Sequence, residues 1–218
     1  MAKAALLDLD GTLVDANYQH ALAWYRAFRR FGITLPVWRL HRHIGMGGDQ
    51  YVRAVAGDDA EREHGDDLRE AHAQEFEQFR DECAVLEGAV SLLSELRRRD
   101  LTVVLASSSS KEDAEFFLDK LGGSDVVDGY TTKDDVERTK PHPDPIHAAL
   151  EKAGTDEAVM FGDSGWDVEA ARNAGLETVC VITGGWSEQE LRDAGAAAVF
   201  ESIPDLLAHL DETPFAAK

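Results

Sequence analysis

The chain has 218 residues, of which 44% are hydrophobic and 29% charged, enough for one sizeable domain or for a core domain with a smaller companion. Its formal net charge of −20 repels nucleic-acid phosphates and anionic lipid headgroups, so we expect no nucleic acid and no membrane as partner. The two cysteines, Cys83 and Cys180, form no CxxC or CxxH pattern, and no apolar run approaches membrane-spanning length. A cytoplasmic location is therefore expected.

In chain order, the first predicted element is a buried strand over residues 4–9. Residues 16–85 contain no convincing strand and are predicted to be helical, over 17–31, about 48–56 and 59–80. A helical insert directly after the first strand of an α/β chain indicates a separate domain, which we call the cap and assign to residues 16–85.

After the cap, predicted strands alternate with predicted helices. Short apolar runs rich in branched residues predict strands over 101–106, 158–162, 177–182 and 197–200. Amphipathic stretches predict helices over 88–99, 111–121, 142–153, 164–174 and 188–194. This alternation predicts an α/β fold with a doubly wound parallel sheet. We assign this Rossmann-like core to residues 1–15 and 86–218 and treat the α-helical cap as an insertion into it.

Polar side chains follow the predicted strands at their carboxyl ends, where open parallel sheets place their ligand sites. Asp8 and Asp10 leave the first strand on the same side, and their mutual repulsion requires a cation or a shared proton. Asp163 and Asp167 follow the strand over 158–162 in a loop of the kind that holds Mg²⁺. Taken alone, the first pair is explained equally well by a polar loop with an Asp-Gly turn.

Two further segments offer groups that suit an anion. Ser107 and Ser108 open a run of serines whose hydroxyls and backbone N–H groups are placed to bind phosphate oxygens, although Ser is also a natural helix N-cap. Lys140 stands between Thr139 and Pro141, just before a predicted helix, although a surface Lys is usually only solvated.

As an ordered set, these segments resemble the four motifs of the haloacid dehalogenase superfamily: DLDGT, a Ser after an apolar strand, Lys-Pro, and GDSxxD. The resemblance covers essentially the whole chain. The position of the cap, directly after the first motif, resembles the phosphoglycolate phosphatase and β-phosphoglucomutase branch. The resemblance implies a Mg²⁺-dependent phosphatase that hydrolyses a small phosphorylated metabolite, of the phosphoglycolate or sugar phosphate type, through an aspartyl-phosphate intermediate.

The resemblance also implies a role for each motif residue. Asp8 would be the nucleophile that attacks phosphorus, and Lys140 would neutralise Asp8 and the transferring group. Asp10 would protonate the leaving oxygen and later take a proton from water. The implied Mg²⁺ ligands are Asp8, the backbone carbonyl of Asp10, Asp163 and Asp167, the last binding the ion or one of its waters. The implied phosphate-binding groups are Thr12, Ser107, Ser108 and the backbone amides around Leu9.

The cap is expected to set the substrate. His20 and Trp24 are four residues apart and share a helix face. Both match positions in β-phosphoglucomutases, where the His couples cap closure to acid–base chemistry, and a packing contact within the cap is the competing interpretation. Arg42 and His43, at the start of a glycine-rich turn, are candidates for contact with substrate, with ordinary surface charges as the alternative.

A β-phosphoglucomutase-like phosphomutase is the alternative function. The mutases carry an Arg in the cap turn and a Lys later in the cap that grip a distal phosphate, and neither is found at Gly48–Gln50 or near His72. The intact DxD argues against a haloalkanoate dehalogenase, and the absence of Lys from 16–85 argues against a phosphonatase with a Schiff-base Lys. A receiver-like phospho-Asp signalling module is the alternative from another class, against which Asp10 and the cap both argue.

Overall fold

A parallel sheet forms the centre of the protein, in a computed structural model that describes residues 2–216. Its strands, together with those of a short antiparallel ribbon, are β1 Ala4–Leu7, β2 Val14–Asp15, β3 Ala84–Val85, β4 Thr102–Ala106, β5 Gly129–Thr131, β6 Ala158–Gly162, β7 Glu177–Val181 and β8 Ala198–Phe200. The sheet has the order β5-β4-β1-β6-β7-β8, and every pairing in it is parallel. This confirms the predicted doubly wound α/β class.

Helices cover the sheet and build the cap. They are α1 Asn17–Arg30, α2 Val37–His41, α3 Gly48–Ala56, α4 Asp58–Glu77, α5 Ala89–Arg98, α6 Lys111–Leu121, α7 Asp144–Ala153, α8 Gly165–Asn173, α9 Glu188–Ala194 and α10 Ile203–Ala208. The first four lie in the cap. Among residues 2–216, none of these helices combines the length and the apolar character that crossing a membrane requires.

The two faces of the sheet bury two separate apolar clusters, because successive strand side chains point to opposite faces. On one face, Leu7 packs in a cluster with Leu92 of α5 and Phe117 of α6. On the other face, Leu6 packs in a cluster with Ile146 of α7. Burial on both sides explains why the strands read as continuous apolar runs rather than as an alternating pattern.

The cap has an apolar cluster of its own, in which Trp24 and Phe28 of α1 pack with Tyr51 of α3 and Leu68 of α4. It joins the core through the ribbon of β2 and β3, where Val14 pairs with Val85 and Asp15 with Ala84. Both connections between the cap and the core therefore run side by side, which places the cap directly above the carboxyl edge of the sheet.

Several elements differ from the prediction. The expectation that residues 16–85 hold no strand is wrong at Ala84–Val85, because a ribbon of two residues per strand leaves no periodic pattern. The edge strand β5 was not predicted, since it has only three residues and begins with Gly. The short helices α2 and α10 were also not predicted. The first strand ends at Leu7, so Asp8 and Asp10 lie in the loop that follows it.

Candidate active site

The structure brings the predicted carboxylates and lysine together at the carboxyl edge of the sheet. Asp8 follows β1, Asp163 follows β6, and Asp167 lies in the first turn of α8. Lys140 reaches in from the loop before α7. Its Nζ lies 2.5 Å from Asp8 Oδ1 and 2.8 Å from Asp167 Oδ1. The lysine side chain is fully buried, so its charge acts in a medium of low polarity.

The carboxylates of Asp8, Asp163 and Asp167 form a buried group whose ligand oxygens lie within 4.8 Å of one another. Burial raises the pKa of Asp8 to about 7, against the lowering effect of Lys140. Burial, with the charges of Asp167 and Asp8, raises the pKa of Asp163 well above its ordinary value. One lysine does not balance three carboxylates. A cluster of hard oxygen donors with an excess of negative charge fits a divalent cation such as Mg²⁺.

Two neighbours hold Asp163 in place. The hydroxyl of Thr12 donates to Oδ1 at 2.8 Å, and the side-chain amide of Asn17 donates to Oδ2 at 2.9 Å. Thr12 was expected to bind phosphate, but its hydroxyl is committed to Asp163 here. Asn17 is the first residue of α1, so a cap residue orients a carboxylate of the candidate metal site. No pattern in the sequence indicates this role.

Asp167 is oriented by the start of its own helix. Ser164 caps α8, and Asp167 Oδ2 accepts hydrogen bonds from the Ser164 hydroxyl at 2.6 Å and its amide at 3.1 Å. This capping box leaves Oδ1 facing Lys140. In the GDSxxD segment, Ser164 is therefore the N-cap residue of α8, and Asp167 is the site carboxylate that this N-cap residue orients.

Asp10 lies between a core serine and a cap histidine. Ser109 Oγ donates to its Oδ2 at 2.6 Å, and His20 Nε2 lies 3.6 Å from its Oδ1, which has no hydrogen bond. Burial alone would raise the pKa of Asp10, but His20 and Ser109 outweigh burial and lower it. Asp10 is thus ionised at neutral pH before an anionic ligand arrives.

The serine run provides distinct groups. Ser107 is buried, and its Oγ accepts from the amide of Ser109 at 3.0 Å. Ser110 caps α6 by accepting from the Asp113 amide at 3.1 Å. The hydroxyl of Ser108 is buried and has no hydrogen-bond partner among residues 2–216. Ser108 also lines a cavity between the cap and the core. Ser108 is therefore the hydroxyl best placed for a phosphate oxygen.

A cavity of about 280 Å³ lies between the cap and the core. Asp8, Asp10 and Ser108 line its floor, and His20 and Trp24 line its roof. The shared helix face of His20 and Trp24 therefore points at the site, and the two rings also pack within the cap. A cavity of this size admits a small metabolite and excludes a folded partner.

Arg42 does not reach this cavity. Its guanidinium pairs with Glu190 Oε1 at 2.6 Å and lies 4.0 Å above the ring of Trp186. Arg42 therefore ties the cap to the core on the outside of the site. The interpretation of Arg42 as an ordinary surface charge describes this arrangement better than contact with substrate does. His43 also lies outside the cavity lining.

Further polar and charged residues line the cavity without having been predicted, among them Asp49, Arg69, His72 and Lys133. Arg69 and His72 are three apart on α4, a spacing that places them on one face, and this was the only available signal. The guanidinium of Arg69 already binds Glu61, Asp66 and the carbonyl of Gly48. Nothing in the local sequence distinguishes Lys133 or Asp49 from solvated surface charges.

Comparison with known proteins identifies the family of this chain. The profile of the haloacid dehalogenase-like hydrolase family matches residues 2–175. Validoxylamine A 7'-phosphate phosphatase from Streptomyces hygroscopicus subsp. limoneus is 30% identical, over 84% of this chain and 87% of that protein. A phosphoglycolate phosphatase from Rhodospirillum rubrum is 31% identical, over 94% of this chain and 90% of that protein.

Solved structures of other proteins share the fold of this chain. A hydrolase from Pseudomonas syringae is 37% identical, with a TM-score of 0.92 over 99% of this chain and all of that one. A β-phosphoglucomutase from Clostridium difficile has a TM-score of 0.83 over 99% of this chain and 97% of that one, and at 21% identity it shows the shared fold alone. The chain therefore belongs to the haloacid dehalogenase-like hydrolases, in their phosphoglycolate phosphatase and β-phosphoglucomutase branch.

Proposed function

We propose that this protein is a Mg²⁺-dependent phosphatase that hydrolyses a small phosphorylated metabolite through an aspartyl phosphate, an acyl phosphate formed on Asp8. The observation that carries the proposal is the buried contact of Lys140 with Asp8, at 2.5 Å, inside a group of three carboxylates. A carboxylate can attack a phosphate dianion only where positive charge offsets their repulsion. Bound Mg²⁺, held by Asp8, Asp163 and Asp167, would add to the charge of Lys140.

The first chemical step is attack of an Asp8 oxygen on phosphorus with departure of the alcohol oxygen. Ser108 holds a phosphoryl oxygen while the bond transfers, because its hydroxyl is free and faces the cavity. Asp10 must first take up a proton, which it gains from solvent as the substrate binds, because the negative charge of the phosphate raises its proton affinity from the low resting value. Asp10 then gives that proton to the leaving oxygen.

The second step is hydrolysis of the phosphate on Asp8. Having lost its proton to the leaving group, Asp10 takes one from the attacking water, so a single carboxyl serves both steps. Splitting hydrolysis into two transfers replaces one difficult step with two easier ones. The position of the cap over Asp8 and Asp10 keeps other water away from the phosphoryl group.

The cavity favours a monophosphate over a bisphosphate. Asp49, in the cap turn, is held by the amide of Thr139 at 3.1 Å and by its hydroxyl, and these bonds lower the pKa of Asp49 against the effect of burial. A second phosphate near this carboxylate would be repelled. Arg69, which also lines the cavity, is already paired with Glu61 and Asp66. We therefore prefer a phosphatase to a phosphomutase. The names of the two curated relatives, both phosphatases of small molecules, agree.

The proposal is tested by measuring kcat/KM for a panel of phosphorylated metabolites and p-nitrophenyl phosphate with Mg²⁺. Asp8→Asn should abolish turnover of every substrate. Asp119→Asn is the matched control, because Asp119 is an exposed carboxylate on α6, outside the site. Full activity after dialysis into excess EDTA, or in Asp8→Asn, would contradict the proposal. Release of phosphate from sugar or glycolate esters, without isomerised product, would separate the phosphatase from the mutase.

A further inference from the structure

A histidine pair in the cap continues the contacts of Asp10. His20 Nε2 faces Asp10 Oδ1 at 3.6 Å, and His20 Nδ1 lies 3.2 Å from His72 Nε2. His20 belongs to α1 and His72 to α4, so the contact depends on the packing of the two helices. Asp10, His20 and His72 thus form a line from the core carboxylate into the interior of the cap. The family resemblance assigns roles to Asp10 and His20 but none to His72.

Stacking fixes the planes of both rings. His72 lies against Trp24, with ring centroids 4.1 Å apart and an interplanar angle of 18°. His20 lies against Phe76, at 3.7 Å and 12°. The two imidazoles are themselves within 22° of parallel. Stacking holds each ring in its plane, and the contact of His72 Nε2 with His20 Nδ1 distinguishes the observed ring orientations from their 180° flips.

The hydrogen bond between the two rings constrains where protons lie. A carboxylate oxygen accepts hydrogen bonds, so the approach of His20 Nε2 to Asp10 Oδ1, at 3.6 Å, favours the His20 tautomer that carries its proton on Nε2. A neutral His20 with its proton on Nε2 has a bare Nδ1, which accepts a hydrogen bond from His72 Nε2 when neutral His72 carries its own proton there. Burial keeps His72 neutral by lowering its pKa well below the ordinary value, with the charges of His20 and Lys133 acting in the same direction.

We propose that His72 is a positioning residue for Asp10: through its hydrogen bond to His20 Nδ1 it holds the Nε2–H of His20 against the carboxylate. His72 itself touches neither the nucleophile nor the transferring phosphate in this role. Because His20 and His72 both belong to the cap, the support reaches Asp10 only while the cap lies over the core. This role deepens, and rests on, the proposed phosphatase function.

The test compares His72→Phe, which keeps a ring for stacking but has no nitrogen, with His72→Gln, whose side-chain amide can donate or accept. Single-turnover measurements would follow release of the leaving group from an alkyl phosphate and from p-nitrophenyl phosphate. We expect His72→Phe to slow alkyl release by roughly tenfold, part of the ~100-fold or more that acid–base catalysis contributes. Release of p-nitrophenolate, which needs no proton, should change by less than about twofold, and His72→Gln should recover most of the loss.

A second readout does not depend on activity. Nitrogen NMR of the substrate-free protein reports which nitrogen of His20 carries its proton. In the wild type we expect a proton held on Nε2, and in His72→Phe an average over both nitrogens. Equal losses for both substrates with no rescue by His72→Gln, or an unchanged His20 spectrum in His72→Phe, would overturn the role of His72. A wild type inactive on every phosphate ester would instead overturn the phosphatase proposal, and the NMR result would keep the two failures apart.

Discussion

Lys140 shows most clearly, at the scale of single residues, how the fold sets the chemistry. Burial alone would lower the pKa of this amine, but Asp167 and Asp8 outweigh burial and raise it, so the lysine stays charged. A permanent cation next to the nucleophile reduces the charge repulsion that an incoming phosphate meets. The same ion pairs also hold three chain segments together, because the partners come from the loop after β1 and the first turn of α8.

Removing that cation should therefore damage both stability and activity. Lys140→Met leaves the buried carboxylates of Asp8 and Asp167 without their partner, and breaking such a pair costs about 3–5 kcal/mol. Lys152→Met is the matched control, since its contact with Asp135 is partly exposed and worth at most about 1 kcal/mol. Denaturant unfolding of the metal-free proteins measures both free energies. Equal losses in the two variants would show that the ion pairs of Lys140 do not support the fold.

The raised pKa values of Asp8 and Asp163 predict how Mg²⁺ binding depends on pH. Both carboxyls hold protons more tightly than ordinary aspartates in the metal-free site, Asp8 with a pKa of about 7. A metal binds the deprotonated forms, so protons must leave as it enters. Mg²⁺ affinity should therefore fall as pH drops from about 8 to about 6, with up to ~tenfold loss per pH unit for each proton displaced.

Isothermal titration calorimetry in buffers of different ionisation enthalpy would measure both the affinity and the protons released. In Asp119→Asn, whose mutated residue lies outside the site, the same pH dependence is expected. A Mg²⁺ affinity that stays constant over this pH range, without proton release, would contradict the raised pKa values.

At the scale of elements, one contact between the cap and the core lies next to Lys140. Asp49 of α3 accepts hydrogen bonds from the amide and the hydroxyl of Thr139, the residue before Lys140. Gly47 at the cap turn also lies so close to Thr139 that a Cβ on it would come within 2.2 Å of the threonine hydroxyl. Closure of the cap and placement of Lys140 are therefore linked through two adjacent residues.

Asp49→Ala should loosen this contact. A hydrogen bond to a charged acceptor contributes about 1.5–3 kcal/mol, so the Thr139 amide should exchange its hydrogen at least roughly tenfold faster in the variant. Hydrogen-exchange mass spectrometry of the peptide around Thr139 measures this rate. Asp67→Ala, at an exposed position on α4, removes the same charge from the cap and serves as control. Identical exchange in both variants would mean that the Asp49 contact does not hold the cap closed.

The elements and the site residues differ in how far the sequence predicts them. Strands buried on both faces, such as β4 and β6, are continuous apolar runs and were predicted closely. Asp8 and Asp163 were predicted because parallel strands deliver their ends to one edge, and Lys140 was predicted from the resemblance of its Lys-Pro segment to a family motif. His72 was not assigned a role, since its meeting with His20, 52 positions away, is decided by how α1 packs on α4.

Charge distribution dominates at the scale of the whole molecule. A net charge of −20 repels an anionic metabolite from most of the surface. Favourable binding must then come from the site itself, where Lys140 offsets the carboxylates and the proposed divalent cation would add to its charge. The cap shields this site from water while bringing His20 and Trp24 over it. In the proposed reaction, the core supplies the nucleophile and the positive charge, and the cap encloses the site and supports Asp10.

In the proposed mechanism the phosphoryl group is transferred to Asp8 and forms a covalent intermediate there. Asp10→Asn allows the most direct test, because p-nitrophenolate leaves without a proton while hydrolysis of the aspartyl phosphate still needs the missing base. Phosphate should therefore accumulate on the variant after mixing with p-nitrophenyl phosphate and Mg²⁺. Rapid quench followed by intact-protein and peptide mass spectrometry should find one phosphate adduct on Asp8. The adduct should be absent from the double variant that carries both Asp8→Asn and Asp10→Asn. Release of p-nitrophenolate by Asp10→Asn with no adduct on Asp8 would instead indicate direct attack by water and contradict the covalent mechanism.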